Sequence, residues 1–581
     1  MVRAFRQLWP YLWRHRRGLG IGFGALIIKD LLVILQPLLI REGVDRLATG
    51  FSLVTVLLFC GILVGVSAFK GMFQYSMRVR LVGISRDIEN DLRNDLYGHL
   101  VQLAPEFFHK YRTGDLLSRS TSDLNAVRMM LGPGIMYWFE TMLTFVLAVV
   151  VMMSVDWRLT LIALGPAPLV SVVVMYFGRK IHTRFERMQT QFGAISGRVQ
   201  ENLSGVRMVR AYRQEAHEVE MFDELNKEYM EETLRLARTS ALFMPLLQFL
   251  VGTTFLLVLW AGGLAVVEGR ITLGSFVMFN TIMGMLVWPM IAFGWVVNLM
   301  QRGSASFSRI RDLLTEKPTI QAPAKPVALA EPVRGEVSFE GVTLRYGLVA
   351  AAVENVTLRI AAGETVAIVG HTGSGKTSLA QMVPRMMDPT AGVVRVDGVD
   401  VREMDPGALR SVIGFVPQES FLFSSTIAEN IALGAPGATR EQVQQAAELA
   451  GLGPDLEGFP LGLDTVVGER GITLSGGQKQ RTAIARAIAR DPRILILDDS
   501  LSSVDTATEE RILAGLAGVR SGRTTILISH RVSTVRQANR IYVMDHGRVI
   551  EEGTHEELLG RGGVYAELHQ KQLIEEELEA I

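Results

Sequence analysis

Cysteine is nearly absent from this chain. Its single copy, Cys60, lies inside an apolar run, so neither a disulfide framework nor a cysteine-rich metal site is available. An excess of charge is lacking too, because lysine plus arginine and aspartate plus glutamate both number 59. That balance removes any overall electrostatic argument for a nucleic-acid partner. What is abundant is apolar surface: 49% of residues are hydrophobic and the mean hydropathy is +0.26, high for a soluble protein. At 581 residues two or more domains are expected. Long uncharged stretches crowd the first half, while the second half has the composition of an ordinary soluble domain. An integral membrane part followed by a soluble part is the reading.

Crossing the hydrocarbon as a helix takes about 20 mostly apolar residues. Four stretches do so without a charge: Phe51–Phe69, Leu159–Gly178, Ala241–Val267 and Ile271–Gln301. Two more carry ionisable residues, Gly18–Ile40 with Lys29 and Asp30, and Met129–Val155 with Glu140. Six spans result. Arg3, Arg6, Arg14, Arg16 and Arg17 precede the first with no acid among them, which places the N-terminus in the cytoplasm. Six spans then bring the soluble half back to the same side. Residues 1–17, with Trp9, Tyr11 and Trp13 among arginines, read as an interfacial elbow helix. A cleaved signal peptide is not expected, since no small-residue cleavage site follows and the apolar run is too long.

Loop lengths are uneven. Spans two and three are separated by about 50 residues and spans four and five by about 60, both helical and amphipathic in pattern. A pair of antiparallel helices of roughly 25 residues each would project some 37 Å into the cytoplasm. Turn-like breaks interrupt both inserts, at 111–127 and 203–215. Residues 315–335 follow as a linker that Pro318, Pro323, Pro326 and Pro332 keep extended. The membrane domain is therefore set at 18–314, the soluble domain at 336–570 and a tail at 571–581.

Within the soluble domain an apolar strand, a glycine-rich turn and a helix start follow one another. Gly370, Gly375, Lys376 and Thr377 have the spacing of a phosphate-binding loop, together with His371, Thr372, Gly373 and Ser374. Glycines let backbone N–H groups curl round phosphate oxygens, and the helix N-terminus adds its positive end. Lys376 is expected on the β- and γ-phosphates of ATP and the Thr377 hydroxyl on Mg²⁺. Further on, the buried-strand pattern Ile494–Leu497 closes abruptly on Asp498 and Asp499. Two carboxylates at a strand tip need a cation to face, and Asp498 is assigned to Mg²⁺.

The run Leu474-Ser475-Gly476-Gly477-Gln478 is more specific, and with it the chain resembles the ATP-binding cassette (ABC) transporter family over essentially its whole length. The resemblance implies an all-α, six-helix transmembrane domain of the type I exporter kind, followed by an α/β P-loop cassette. It implies that Leu474–Gln478 caps the γ-phosphate of ATP held by a second cassette, with Asp505 in the loop joining the two sites. Tyr346 would stack on adenine, Gln418 would ligate Mg²⁺ and sense the membrane domain, and His530 would contact the γ-phosphate. The element 465–471 and the fusion of six spans to one cassette are similar to exporters, with coupling helices near Gly114–Asp123 and Gly205–Gln214.

In this family a glutamate usually follows the Mg²⁺ aspartate and polarises the attacking water. Here Asp499 stands there, one C–C bond of about 1.5 Å shorter, and a misplacement of about 1 Å can cost around 10²-fold in rate. The expectation is a site that binds ATP and hydrolyses it poorly, in a heterodimer whose other half-transporter carries the glutamate. A homodimer with two slow sites and an ATP-gated channel or sensor stay open as alternatives. A soluble cassette ATPase of translation or repair is excluded by the spans. The location implied is the cell (inner) membrane, with the cassette cytoplasmic. At membrane depth, Lys29 is expected to bridge to Glu140, contact polar cargo or snorkel, and the roughly 100° between helix neighbours argues that Lys29 and Asp30 do not face each other. Drugs, lipids and peptides all fit as cargo.

Overall fold

The computed structural model describes residues 2–50, 52–347, 351–468, 474–501, 512, 522–529 and 531–579. Two compact units emerge. One comprises Met1–Val101 and Arg112–Glu316, the other Gln102–Tyr111 and Lys317–Ile581.

In the first unit six helices among the described residues are long and apolar enough to cross a membrane: Arg16–Thr49, Leu53–Leu100, Thr113–Val155, Trp157–Ser204, Glu215–Val267 and Leu273–Leu314. They agree with the six runs read from hydropathy. Each also continues past the apolar segment, which is how one helix serves as both span and stalk. The tight turn between spans three and four is set by Asp156, whose carboxylate caps the next helix by accepting from Leu159 N at 2.9 Å. The sixth span is anchored from the first: Asp45 accepts from Gly274 N and from the Thr272 hydroxyl, each at 2.7 Å. Gly274 is required there, since a Cβ would run into the Arg41 carbonyl. Met278, Phe279, Ile282 and Leu286 of the sixth span bury against Ala148, Met152 and Val258.

The first stalk reverses earlier than the expected break at 111–127. Residues Thr113–Ser118 are helical and Arg119–Asp123 continue as a wide π turn, so the expected break at Gly114–Asp123 is not there. The chain breaks instead around the short helix Pro105–Lys110, which starts with Pro105 directly after extended Ala104. The cause is local: proline disfavours helix in the residue before it and suits the first helical position itself. Asp123, read as part of that break, is instead a buried clamp, accepting from Ser306 Oγ at 2.8 Å and Arg309 Nε at 2.8 Å. The second reversal contains the helix Val206–Ala211.

The second unit is built on two sheets. A four-stranded antiparallel sheet has the order β2-β1-β4-β5: Ala351–Ile360, Val337–Arg345, Ala391–Val396 and Val399–Asp400. A six-stranded sheet has the order β10-β9-β3-β8-β7-β6, with strands Arg548–Gly553, Arg540–Asp545, Thr365–Gly370, Thr524–Ile528, Ile494–Asp498 and Ile413–Val416. Its five strands from β9 to β6 run parallel. All five residues of β7 and of β8 are buried, which is why Ile494–Leu497 reads as an unbroken apolar run rather than an alternating one.

Candidate functional site

Ligands of open parallel sheets collect at the carboxyl ends of the strands, and the glycine loop and two more of the expected residues converge there. The glycine loop leaves the end of β3, Asp498 closes β7, and Gln418 lies two residues past β6, which pairs with β7. His530 would follow β8 but lies outside the described residues, as do Asp505 and residues 469–471 of the exporter-like element.

The loop's shape is dictated by its glycines. Gly370, Gly373 and Gly375 have φ of 147°, 83° and 96°. A Cβ on Gly370 would collide with the Met544 carbonyl, and one on Gly375 with the Ala352 carbonyl. His371, Thr372 and Gly373 form the exposed rim, and Ser374 and Lys376 are buried. The Lys376 ammonium donates to the carbonyls of Gly370 (2.9 Å) and His371 (2.8 Å) and to Ser374 Oγ (3.3 Å). Burial pulls its pKa down, opposed by the charges of Asp498 and Asp499. Tyr346 stands half exposed, its hydroxyl 3.1 Å from Ser378 Oγ at the start of the loop helix.

Asp498 is 1% exposed, and Thr377 donates to its Oδ1 at 3.1 Å. The other oxygen, Oδ2, is buried with no hydrogen-bond partner. Burial pushes the Asp498 carboxyl up to about 6; the Thr377 hydroxyl draws it down, Asp499 raises it further, and Lys376 opposes. A buried carboxylate oxygen with no donor, beside a hydroxyl and a second acid, suits a hard dication with oxygen ligands. Thr377, Asp498 and the exposed Gln418 are the residues that would hold Mg²⁺. Asp499 sits at φ 45°, a left-handed conformation that aspartate tolerates better than most side chains.

The signature run forms a helix start. Ser475 is the N-cap of Gly476–Ala489 in a full capping box: its Oγ accepts from Gln478 N at 3.3 Å, and Gln478 Oε1 accepts from Ser475 N at 2.9 Å. The Ser475 O–H and the N–H groups of Gly476 and Gly477 remain as donors at the positive end of the helix. Leu474, expected to touch nucleotide, instead buries its side chain in the core, where it anchors the start of the helix. Asp455 was not singled out in the sequence, yet it accepts from both Gln478 and Arg481. No local motif marks it, since the pairing spans 23 residues.

In the membrane unit, Lys29 meets Glu140 at 2.7 Å, so the bridge is formed. The expectation that Lys29 and Asp30 do not face each other is wrong: Lys29 Nζ is 2.5 Å from Asp30 Oδ1. The four-carbon lysine stem reaches round its own helix, so Cβ direction alone did not decide the contact. Thr144 adds a hydrogen bond to Asp30 at 3.2 Å.

A parallel-sheet domain with a phosphate loop, a dication-ready aspartate and a capped glycine helix, fused to six spans, defines a membrane-embedded P-loop nucleoside triphosphatase. Residues 19–290 match the family described as ABC transporter transmembrane region, and residues 353–502 match that described as ABC transporter. The chain is 38% identical over 555 residues (95% of it, 94% of the relative) to YheI of Bacillus subtilis (strain 168), a probable multidrug resistance ABC transporter ATP-binding/permease protein. It is 35% identical over 574 residues (99% and 95%) to the ATP-dependent lipid A-core flippase of Syntrophus aciditrophicus (strain SB). Among solved structures, a bacterial Atm1-family ABC exporter with ATP bound superposes with a TM-score of 0.81 at 27% identity, covering 96% of this chain and 99% of that one. The chain belongs to the ABC transporter family. It is an exporter half-transporter, a multi-pass membrane protein whose cytoplasmic cassette couples hydrolysis of ATP, with Mg²⁺, to export.

Proposed function

We propose that this half-transporter is the slow-site subunit of an asymmetric exporter dimer. The observation that carries the reading is Asp499: it follows the dication ligand at the tip of β7, where a glutamate would reach farther by one methylene. In this reading Lys376 and the loop amides bind the phosphates, Tyr346 stacks on adenine, and Thr377, Asp498 and Gln418 hold Mg²⁺. His530 contacts the γ-phosphate. Ser475, Gly476, Gly477 and Gln478 face ATP on the partner cassette, where the partner's glutamate completes a working site, and Asp505 joins the two.

For cargo, we infer an apolar molecule. A cavity of about 390 Å³ in the membrane unit is lined by Trp138, Met142, Phe145, Met175, Met290 and Phe293. The Thr141 and Ser171 hydroxyls on its wall are bonded back to their own helices, which leaves an apolar, polarizable surface. Relatives named for multidrug resistance and for lipid A-core flipping fit that chemistry.

The test is steady-state ATP turnover of the full-length chain, alone and assembled with a second half-transporter that carries the glutamate. Alone it should be nearly inactive, and assembly should restore turnover. In the assembled dimer, Gly477→Asp places a carboxylate where the partner's γ-phosphate would sit, and turnover should fall by about 10²-fold or more. Fast hydrolysis by the chain alone, several turnovers per second, would replace this reading with a homodimer.

A further inference from the structure

The signature helix is aimed by a side chain outside its own motif. Asp455, in the short helix Gly453–Gly458, places Oδ1 3.1 Å from Gln478 Nε2 and Oδ2 at 2.7 and 3.0 Å from Arg481 Nη2 and Nε. Side-chain exposure is 18% for Asp455 and 11% for Arg481, so the pair is largely withdrawn from solvent. An Asp carboxylate is an acceptor only, and a glutamine amide has one donating and one accepting end. With its NH₂ committed to Asp455, Gln478 must turn its oxygen to Ser475 N, the reciprocal half of the capping box. Ser475 Oγ in turn accepts from Gln478 N, so its hydroxyl proton is directed away from the helix. Arg481 neutralises the carboxylate, which would otherwise repel a phosphate brought to the same helix start.

We propose that Asp455 is a positioning residue for ATP hydrolysis at the partner cassette: through Gln478 it fixes the orientation from which Ser475 and the Gly476 and Gly477 amides meet the γ-phosphate. The inference rests on the signature acting in trans. It adds that the aim of the signature is set from the helix at 453–458, outside the signature run itself. Arg486, two turns along the same helix, donates to the carbonyls of Asn430 and Phe421, so the far end is held separately. Loss of Asp455 therefore frees the first turn without unseating the helix.

The experiment uses the full-length assembled transporter. Asp455→Ala should lower kcat about 10-fold or more, because sub-ångström misaim is enough for that loss, while KM for ATP stays close to the parent; the melting temperature should fall as well, because Arg481 loses its partner in a largely buried pair. Asp455→Asn keeps an oxygen for Gln478 and should recover most of the lost turnover, and it carries the test if the alanine variant fails to assemble. Gln478→Ala and the double variant Asp455→Ala/Gln478→Ala should be equally slow, since a residue acting through Gln478 adds nothing once that side chain is gone. Unchanged kcat in Asp455→Ala alongside a dead Gly477→Asp would overturn the role of Asp455, as would multiplicative losses in the double variant. An active Gly477→Asp would overturn the trans arrangement itself, a different failure read from a different variant.

Discussion

Each unit of this protein contains one lysine beside two carboxylates, and the two sets are wired oppositely. In the membrane unit Lys29 is 2.5 Å from Asp30 and 2.7 Å from Glu140, so the cation is consumed by acids of its own chain. In the cassette Lys376 turns to backbone carbonyls and a serine hydroxyl, while Asp498 keeps one buried oxygen without a partner. The lysine is closed off by acids in the first set and held open in the second, although one aspartate oxygen in each, Asp30 Oδ2 and Asp498 Oδ2, is buried without a hydrogen-bond partner. Hydrocarbon gives an ion no water to fall back on, so charges there must find each other. A site that takes an anionic nucleotide and a dication must keep its own charges from cancelling, and backbone carbonyls hold the lysine without neutralising it.

Breaking the closed set should produce the largest effect. Lys29→Met leaves the buried Asp30 and the partly exposed Glu140 uncompensated, and stripping one partner from a buried ion pair costs about 3–5 kcal/mol. Thermal melts of the detergent-purified protein should register the loss, and adding Glu140→Gln should recover part of it. A full-stability Lys29→Met protein would show that the membrane set is not a closed pair. The open set should respond in affinity rather than stability. Lys376→Ala should weaken ATP binding at this chain's own site by roughly 10- to 100-fold, the range for losing charge-assisted hydrogen bonds, and lower assembled turnover only in part. Binding of a fluorescent nucleotide checks the first effect, and complete loss of turnover with normal assembly would make this site the working one.

A milder effect comes from pH. Asp498 titrates at about 6 rather than 3.8, so its charge opposes folding above about pH 6, and that opposition fades as pH falls toward 3.8. A cation bound at its free oxygen must displace the proton below about 6. The apparent affinity for Mg²⁺ should therefore drop by about 3- to 10-fold between pH 7.5 and 5.5. Titration of Mg²⁺-dependent nucleotide binding at the two pH values measures it, and Asp498→Asn should abolish the difference. The smallest effect is expected from Asp499→Asn, which keeps the shape and removes the charge. Turnover of the assembled dimer should change by less than about twofold, because uncatalysed geometry has little rate to lose. Loss as deep as in Gly477→Asp would make Asp499 a working base.

Features that a short stretch can specify were readable in advance. Six apolar runs are long enough to span, and the described residues form six such helices. The phosphate loop and the Ser475 cap are local too: glycines with positive φ and a serine three residues before a glutamine need no distant partner to be recognised. The first stalk differs within the same range, because the turn-like pattern at 111–127 competes with Pro105, the stronger local breaker.

Other features depended on where distant residues came to rest. Asp45 meeting Gly274, Asp123 meeting Arg309 and Asp455 meeting Gln478 each join residues far apart in the chain, and no periodicity announces which acid finds which donor. Leu474 belongs to a recognisable motif, yet packing, not the motif, sent its side chain to the core. Lys29 and Asp30 are neighbours whose contact turns on a flexible stem inside a helix bundle. The sequence by itself determined the elements, the phosphate loop and the signature, because backbone chemistry and hydropathy act over a few residues. Only the tertiary structure decided which charges are closed and which are held open, because a buried charge is settled by the burial and partners that the whole fold brings to it.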